Sequence, residues 1–80
     1  DDLSKLIIKE FIIEYKKLNT LSKETLEQVI KSLINKHKTN FKGVGQPLRI
    51  GLVGSRFGPG LYDVILSLDK SSVIERLNNI

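Results

Sequence analysis

The stretch GQPLRIGLVGSRFGPG, Gly45 to Gly60, holds five of the chain's six glycines and both of its prolines. Glycine and proline punctuate regular structure, so this stretch leaves room only for short elements and turns, while the residues before it are free to form long ones. From Leu3 to Leu18 the apolar positions Leu3, Ile7, Phe11 and Leu18, with Leu6, Ile8, Ile12 and Tyr15 beside them, keep helical spacing between lysines and glutamates. That pattern predicts one amphipathic helix. After the interruption at NTLS, Thr20 or Ser22 can cap a second helix whose opening carries Glu24 and Glu27 and whose apolar face is Leu26, Val29, Ile30, Leu33 and Ile34. It ends in NKHKTN, where Lys36, His37 and Lys38 suit the negative end of the helix dipole, and Asn40 then starts a loop through FKGVG.

Inside the punctuated stretch, Leu48, Ile50 and Leu52 alternate like a strand, yet the spacing from Leu48 to Leu52 and from Arg49 to Val53 also fits a helix. Pro47 tips the balance toward a short helix, with the proline at its first position and Gly54 where a terminating glycine would stand. SRFGPG reads as a tight turn. LYDVILSL and, after Asp69 as an N-cap, KSSVIERL read as two further short helices. The expected fold is all-α, a small bundle of about five helices.

Eighty residues make a single domain, and a chain of that size buries only about 60–65% of the surface it exposes when unfolded. With no cysteine there is neither a disulfide nor a thiolate metal site, and one histidine, His37, cannot form a zinc site without carboxylate help. No apolar run approaches the roughly 18 residues that span a bilayer, so no membrane is expected as a partner and the cytoplasm is the expected compartment. The opening DDLSK resembles neither a start codon product nor a signal peptide. The chain reads as a piece of a longer protein.

The net charge is +4, but its distribution carries more information than its size. No acidic residue occurs between Glu27 and Asp63, whereas Lys31, Lys36, Lys38, Lys42, Arg49 and Arg56 fall inside that window. A basic window of this kind attracts polyanions, RNA or DNA first. Phosphate-loop and dinucleotide readings both fail on spacing: GVGQPL has Leu48 where the fingerprint needs glycine, and GSRFGPG lacks the Gly-Lys-Ser/Thr ending. LSKET starts a helix, and no carboxylate pair or partnered histidine suggests acid–base chemistry, so no catalytic residue is expected. What remains is Arg49 near a turn carrying Arg56, Phe57, Pro59, Leu61 and Tyr62. Unpaired RNA bases are bound by such a mixture of arginine hydrogen bonds and aromatic or apolar surface.

Gln46 to Leu77, from QPLRIGLVG through the glycine-proline turn to the closing Arg76–Leu77 pair, resembles the extreme C-terminus of the bacterial-type glutamyl-tRNA synthetase family. The match is specific over 46–77 and extends more weakly back to about Leu3, so 1–80 reads as one C-terminal anticodon-binding subdomain. The resemblance implies a helical region cupping an anticodon loop, and it favours helix over strand at Leu48 to Val53. It implies that Arg49 reads one anticodon base and that Pro59 and Leu61 meet another. Gly51, Val53, Gly58 and Asp69 depart from the family's usual alanine, threonine, threonine or serine, and glycine. A backbone contact at Gly58 therefore stands in for a side-chain one. Lys38, Lys42 and Arg56 are assigned to phosphate positioning.

The family's ATP-binding signatures are absent from these 80 residues. The resemblance thus implies no cofactor in this chain, with ATP and Mg belonging to a catalytic domain of the parent enzyme, which would attach glutamate to tRNA. The implied partners are the anticodon loop of glutamate tRNA and the remainder of the synthetase chain, with the protein a monomer. Two other readings compete: a helical protein–protein module docking through the Leu3 to Leu18 stripe, and a polyanion binder without base preference.

Overall fold

The computed structural model describes residues 1–55 and 60–79. They form five helices: α1 (Asp2–Lys17), α2 (Lys23–His37), α3 (Phe41–Val53), α4 (Leu61–Ser67) and α5 (Lys70–Asn78). All regular structure among the described residues is helical, as the periodicity predicted, and none of these helices is long and apolar enough to cross a membrane.

Helix α1 starts because the Asp1 carboxylate accepts from the Ser4 N–H at 2.7 Å. Its buried face is Ile7, Ile8, Phe11, Ile12 and Tyr15. Leu3 and Leu6 depart from the expected stripe; they stay about half exposed, at 48% and 45%. Most of the stripe is therefore core and is not available to dock a partner. Helix α2 settles the choice of cap. Ser22 Oγ accepts from the Thr25 N–H at 3.2 Å while the Ser22 N–H donates to Thr25 Oγ1 at 3.0 Å, a reciprocal capping box.

The third helix is longer than the sequence suggested. Asn40, expected to begin a loop, instead caps α3 by accepting the Gly43 N–H on its side chain at 2.8 Å. FKGVG is thereby helical, and Pro47 lies inside the helix rather than at its start. Proline there removes one hydrogen bond, to the Gly43 carbonyl, and crowds that same group. The cap and the complete burial of Val44 favour extending the helix back past the proline. Space for that first turn comes from Gly43, where an added Cβ would collide with the Thr39 hydroxyl.

Helix α3 is the hub, packing on each of the other four. Val44, Leu48 and Leu52 fill the centre against Phe11, Tyr15, Leu26, Ile30, Ile65 and Val73. At its far end Gly54, with φ 70°, takes the left-handed conformation and closes the helix through its N–H to the Ile50 carbonyl at 2.8 Å. Asp69 caps α5 as expected, accepting the Ser72 N–H at 2.8 Å. Helix α5 then reaches back twice. Lys70 Nζ donates to the carbonyls of Lys16 and Leu18 at 3.2 and 3.1 Å, and Arg76 donates to the Leu52 carbonyl at 2.9 Å. Two helix C-termini thus receive a cation where their free carbonyls and dipole favour one.

Candidate nucleic-acid interface

Four residues of α3 form the candidate flank, and two of them, Phe41 and Gly45, meet α4. Phe41, Gly45 and Arg49 follow one another at steps of four along a single ridge, and Lys42 stands seven residues before Arg49, two turns away on nearly the same side. Contact with α4 is direct: a methyl group added to Gly45 would lie 3.5 Å from Leu61 Cδ2, and the rings of Phe41 and Tyr62 have centroids 6.0 Å apart, tilted by 53°.

Arg49 is the one charged side chain in the buried class among the described residues, at 9% exposure. Every ion pair among those residues lies elsewhere, on Glu10 or Glu14, and the described residues give the guanidinium no hydrogen-bond partner. No guanidinium nitrogen of Arg49 is among the fully buried unpartnered polar atoms, so its stem packs on the fold while the head keeps contact with solvent. A guanidinium without a protein partner keeps its N–H donors for water or for an acceptor that a ligand brings.

Leu61, the first residue of α4, is buried at 6% with its side chain toward Gly45, so it offers little of its surface to a ligand. Lys42 is exposed in the first turn of α3. Lys38 is exposed at the end of α2 in the left-handed conformation, φ 51°. There the N–H groups of Lys38 and Thr39 return to the carbonyls of Asn35 and Ile34, which turns the chain directly into the Asn40 cap. Arg56, Gly58 and Pro59 lie outside the described residues. Of the expected site, then, Arg49 and Lys42 lie on α3, Leu61 opens α4 against Gly45, and Lys38 stands just before α3, with Lys42 also lining a cleft beside Asp1, Leu3 and Ser4.

Phe41 was missed by the sequence reading, which placed it in a loop. The signal was the Asn40 cap together with the regular spacing of Phe41, Gly45 and Arg49. Tyr62 was expected near the site, and its phenol pKa is raised, by burial first and by the Glu27 charge second.

His37 belongs to a different part of the molecule. Its Nε2 meets Glu10 Oε1 at 2.7 Å while Lys36 Nζ meets Glu10 Oε2 at 2.9 Å, so one carboxylate of α1 clamps the end of α2. Those bonds, the one to His37 foremost, hold the Glu10 carboxyl below its ordinary range. The clamp therefore stabilises the fold above the ordinary carboxylate pKa and is lost as pH falls through the lowered one. No group of three or more His, Asp or Glu side chains among the described residues is placed to hold a metal ion.

Comparison with known proteins places these features in context. The family described as anticodon binding domain matches residues 1–80. The glutamate–tRNA ligase of Pelagibacter ubique (strain HTCC1062) is 61% identical over 79 residues, which is 99% of this chain and 17% of that protein. Glutamate–tRNA ligase 1 of Syntrophus aciditrophicus (strain SB) is 42% identical over 60 residues, 75% of this chain and 13% of the relative. The glutamate–tRNA ligase of Syntrophobacter fumaroxidans is 35% identical over 68 residues, 85% and 14% respectively. The chain spans less than a fifth of the length of these relatives.

Proposed function

The chain belongs to the anticodon binding domain family, and from that membership we propose that it reads unpaired anticodon bases of glutamate tRNA on behalf of a longer glutamate–tRNA ligase. The longer protein would activate glutamate with ATP and Mg and transfer it to the tRNA, while these 80 residues would form its C-terminal selecting subdomain, motif-bearing over 46–77. The selecting role needs no catalytic group here.

The observation that carries the reading is Arg49: an arginine with a buried stem whose guanidinium still reaches solvent and has no partner among the described residues, on the flank of the central helix. The window from Gln28 to Tyr62 contains no acid that could neutralise it within that segment. Arg49 would donate to a base edge, one of the ways in which unpaired nucleotides are recognised. Pro59 and Leu61 would supply apolar contact to a second base, with the backbone at Gly58 beside them. Lys38, Lys42 and Arg56 would hold phosphates and fix the register of the loop.

The test is a titration with two anticodon stem-loops, one carrying the glutamate anticodon and one with its last two bases changed. Arg49→Met should remove about 1–3 kcal/mol of the preference for the matched loop. Lys42→Ala should instead weaken both loops alike and lower the salt slope by roughly 0.7. An Arg49→Met protein that keeps the parent's preference would exclude base reading by Arg49. Binding of both loops equally by the unaltered protein would leave only a polyanion binder, and no binding at low salt would leave a protein–protein module.

A further inference from the structure

We propose that Phe41 and Tyr62 form a preformed stacking platform for one more unpaired nucleobase of the same RNA loop, beside the base read by Arg49. The proposal rests on the RNA-binding reading above and adds a binding site to it.

Phe41 opens α3 yet remains 47% exposed. An exposed phenylalanine with nothing to fix it would lose rotamer freedom on meeting a ligand. This one is already fixed. Its ring lies in tilted contact with Tyr62, centroids 6.0 Å apart, and it folds down over the backbone of Gly45, where a Cβ would come within 3.1 Å of Phe41 Cε1 and 3.4 Å of Cζ. Glycine at 45 is thus what allows the ring to lie along the helix rather than stand off it. With one side resting on Gly45 and its edge against Tyr62, the ring keeps an open side to solvent. Tyr62 is half-buried and stays neutral, so the pair presents an apolar π surface with one hydroxyl.

The surroundings suit a nucleotide better than an apolar side chain. Lys42 follows Phe41 directly and Lys38 precedes it by three residues, both exposed. Every charged residue of α3 is a cation, while the acids on the Tyr62 side are Asp63, next to it in α4 and exposed, and Glu27 of α2. Along the helix axis Phe41 and Arg49 are eight residues, or about 12 Å, apart. A base splayed toward Arg49 and a base laid on Phe41 therefore fit on one single strand whose phosphates pass the lysines. Stacking on an aromatic side chain tolerates any base, so the platform adds affinity without adding discrimination.

The experiment places 2-aminopurine, one position at a time, at the unpaired nucleotides of the matched stem-loop. Its fluorescence and affinity are followed with the full-length protein that carries this chain. One position should be quenched on binding. Phe41→Leu, which keeps apolar packing against Gly45 and Tyr62 but has no π face, should abolish that quenching. It should weaken matched and mismatched loops by the same factor, about 5- to 150-fold, so the matched-to-mismatched ratio is unchanged. Phe41→Trp should restore quenching. Unchanged affinity and quenching in Phe41→Leu, at every position, would overturn the platform, because a purely structural phenylalanine is replaced by leucine without a spectroscopic change. The two readings separate cleanly. Quenching at the platform without preference for the matched loop would keep the platform and remove the anticodon reading, whereas preference without quenching at any position would do the reverse.

Discussion

The ion pairs among the described residues lie in the helical hairpin of α1 and α2, with Glu10 shared between Lys36 and His37 and Glu14 met by Lys17 at 3.3 Å, whereas the α3–α4 corner has none among its described residues. The same contrast runs through the aromatic residues. Phe11 and Tyr15 stack at 5.5 Å inside the core, fully buried, while Phe41 and Tyr62 meet at the surface with half of Phe41 exposed. It runs through the backbone too, since α1 and α2 are uninterrupted and α3 contains Pro47 and three glycines. One half of the molecule holds the ion pairs; the other leaves a cation without a partner among the described residues, two lysines in solvent and half of an aromatic ring exposed, which is the surface the proposed function uses. Helix α3 can carry these defects because four helices pack on it.

The hardest way to break this division is at the root of the stabilising half. Phe11→Ala empties a fully buried ring position that stacks on Tyr15, in a helix packed on α2, α3 and α5. The expected loss is about 3–5 kcal/mol, against a total of roughly 4–12 kcal/mol for a domain of this length. Chemical denaturation should show a large drop in midpoint. RNA binding should fall with the folded fraction and recover wherever the variant is folded, because Phe11 touches none of the proposed site.

The stabilising half was also the legible one. Its 3.6-residue periodicity, its acidic openings and its basic ends all agreed, and the structure departs from them at Leu3 and Leu6, which stay about half exposed. Asp69 was legible as a cap for the same local reason. Helix α3 was legible only in part. Two signals conflicted there, the start suggested by Pro47 and the cap offered by Asn40, and tertiary burial of Val44 decided for the cap. Because that start was misplaced, Phe41 was assigned to a loop and its alignment with Gly45 and Arg49 was invisible. Nor could spacing alone reveal that Arg49 is nearly buried, since burial depends on tertiary packing. The base-reading roles came from family resemblance rather than from periodicity.

A smaller perturbation tests whether the corner itself matters to the second half. Gly54 holds φ 70°, and nothing lies within 4 Å of where its Cβ would be, so Gly54→Ala meets no steric block and the cost is purely conformational. An alanine forced into the left-handed region should destabilise by about 1–2 kcal/mol. That corresponds to a fall in melting temperature of roughly 4–16 °C for a domain of this size. Gly54→Asn should recover part of it, because asparagine tolerates this region. An alanine variant with an unchanged melting temperature would mean that the chain leaves α3 by another path.

The smallest expected effect sharpens the comparison from the other side, because the stabilising half holds one unsatisfied group of its own. Tyr15 is fully buried, and its hydroxyl has no hydrogen-bond partner among the described residues. Burial, with the Asp69 charge as a second cause, raises the phenol pKa, so the group stays neutral and contributes no charge to the core. The ring is used all the same: it stacks on Phe11, and the Lys70 ammonium lies 5.5 Å from its centroid while donating to the end of α1. Phenylalanine keeps both ring contacts and removes the orphaned oxygen, whose burial costs on the order of 1–3 kcal/mol, partly offset by the small void left behind. Tyr15→Phe should therefore raise stability by up to about 1 kcal/mol in denaturant titration and leave RNA affinity and base preference unchanged. A loss of stability would mean that the hydroxyl is bonded after all, and a change in base preference would mean that the two halves are coupled through α3. Removing an unpaired polar group should help where the group serves only packing, whereas Arg49→Met, the same operation at the corner, should remove the selection that its isolation makes possible.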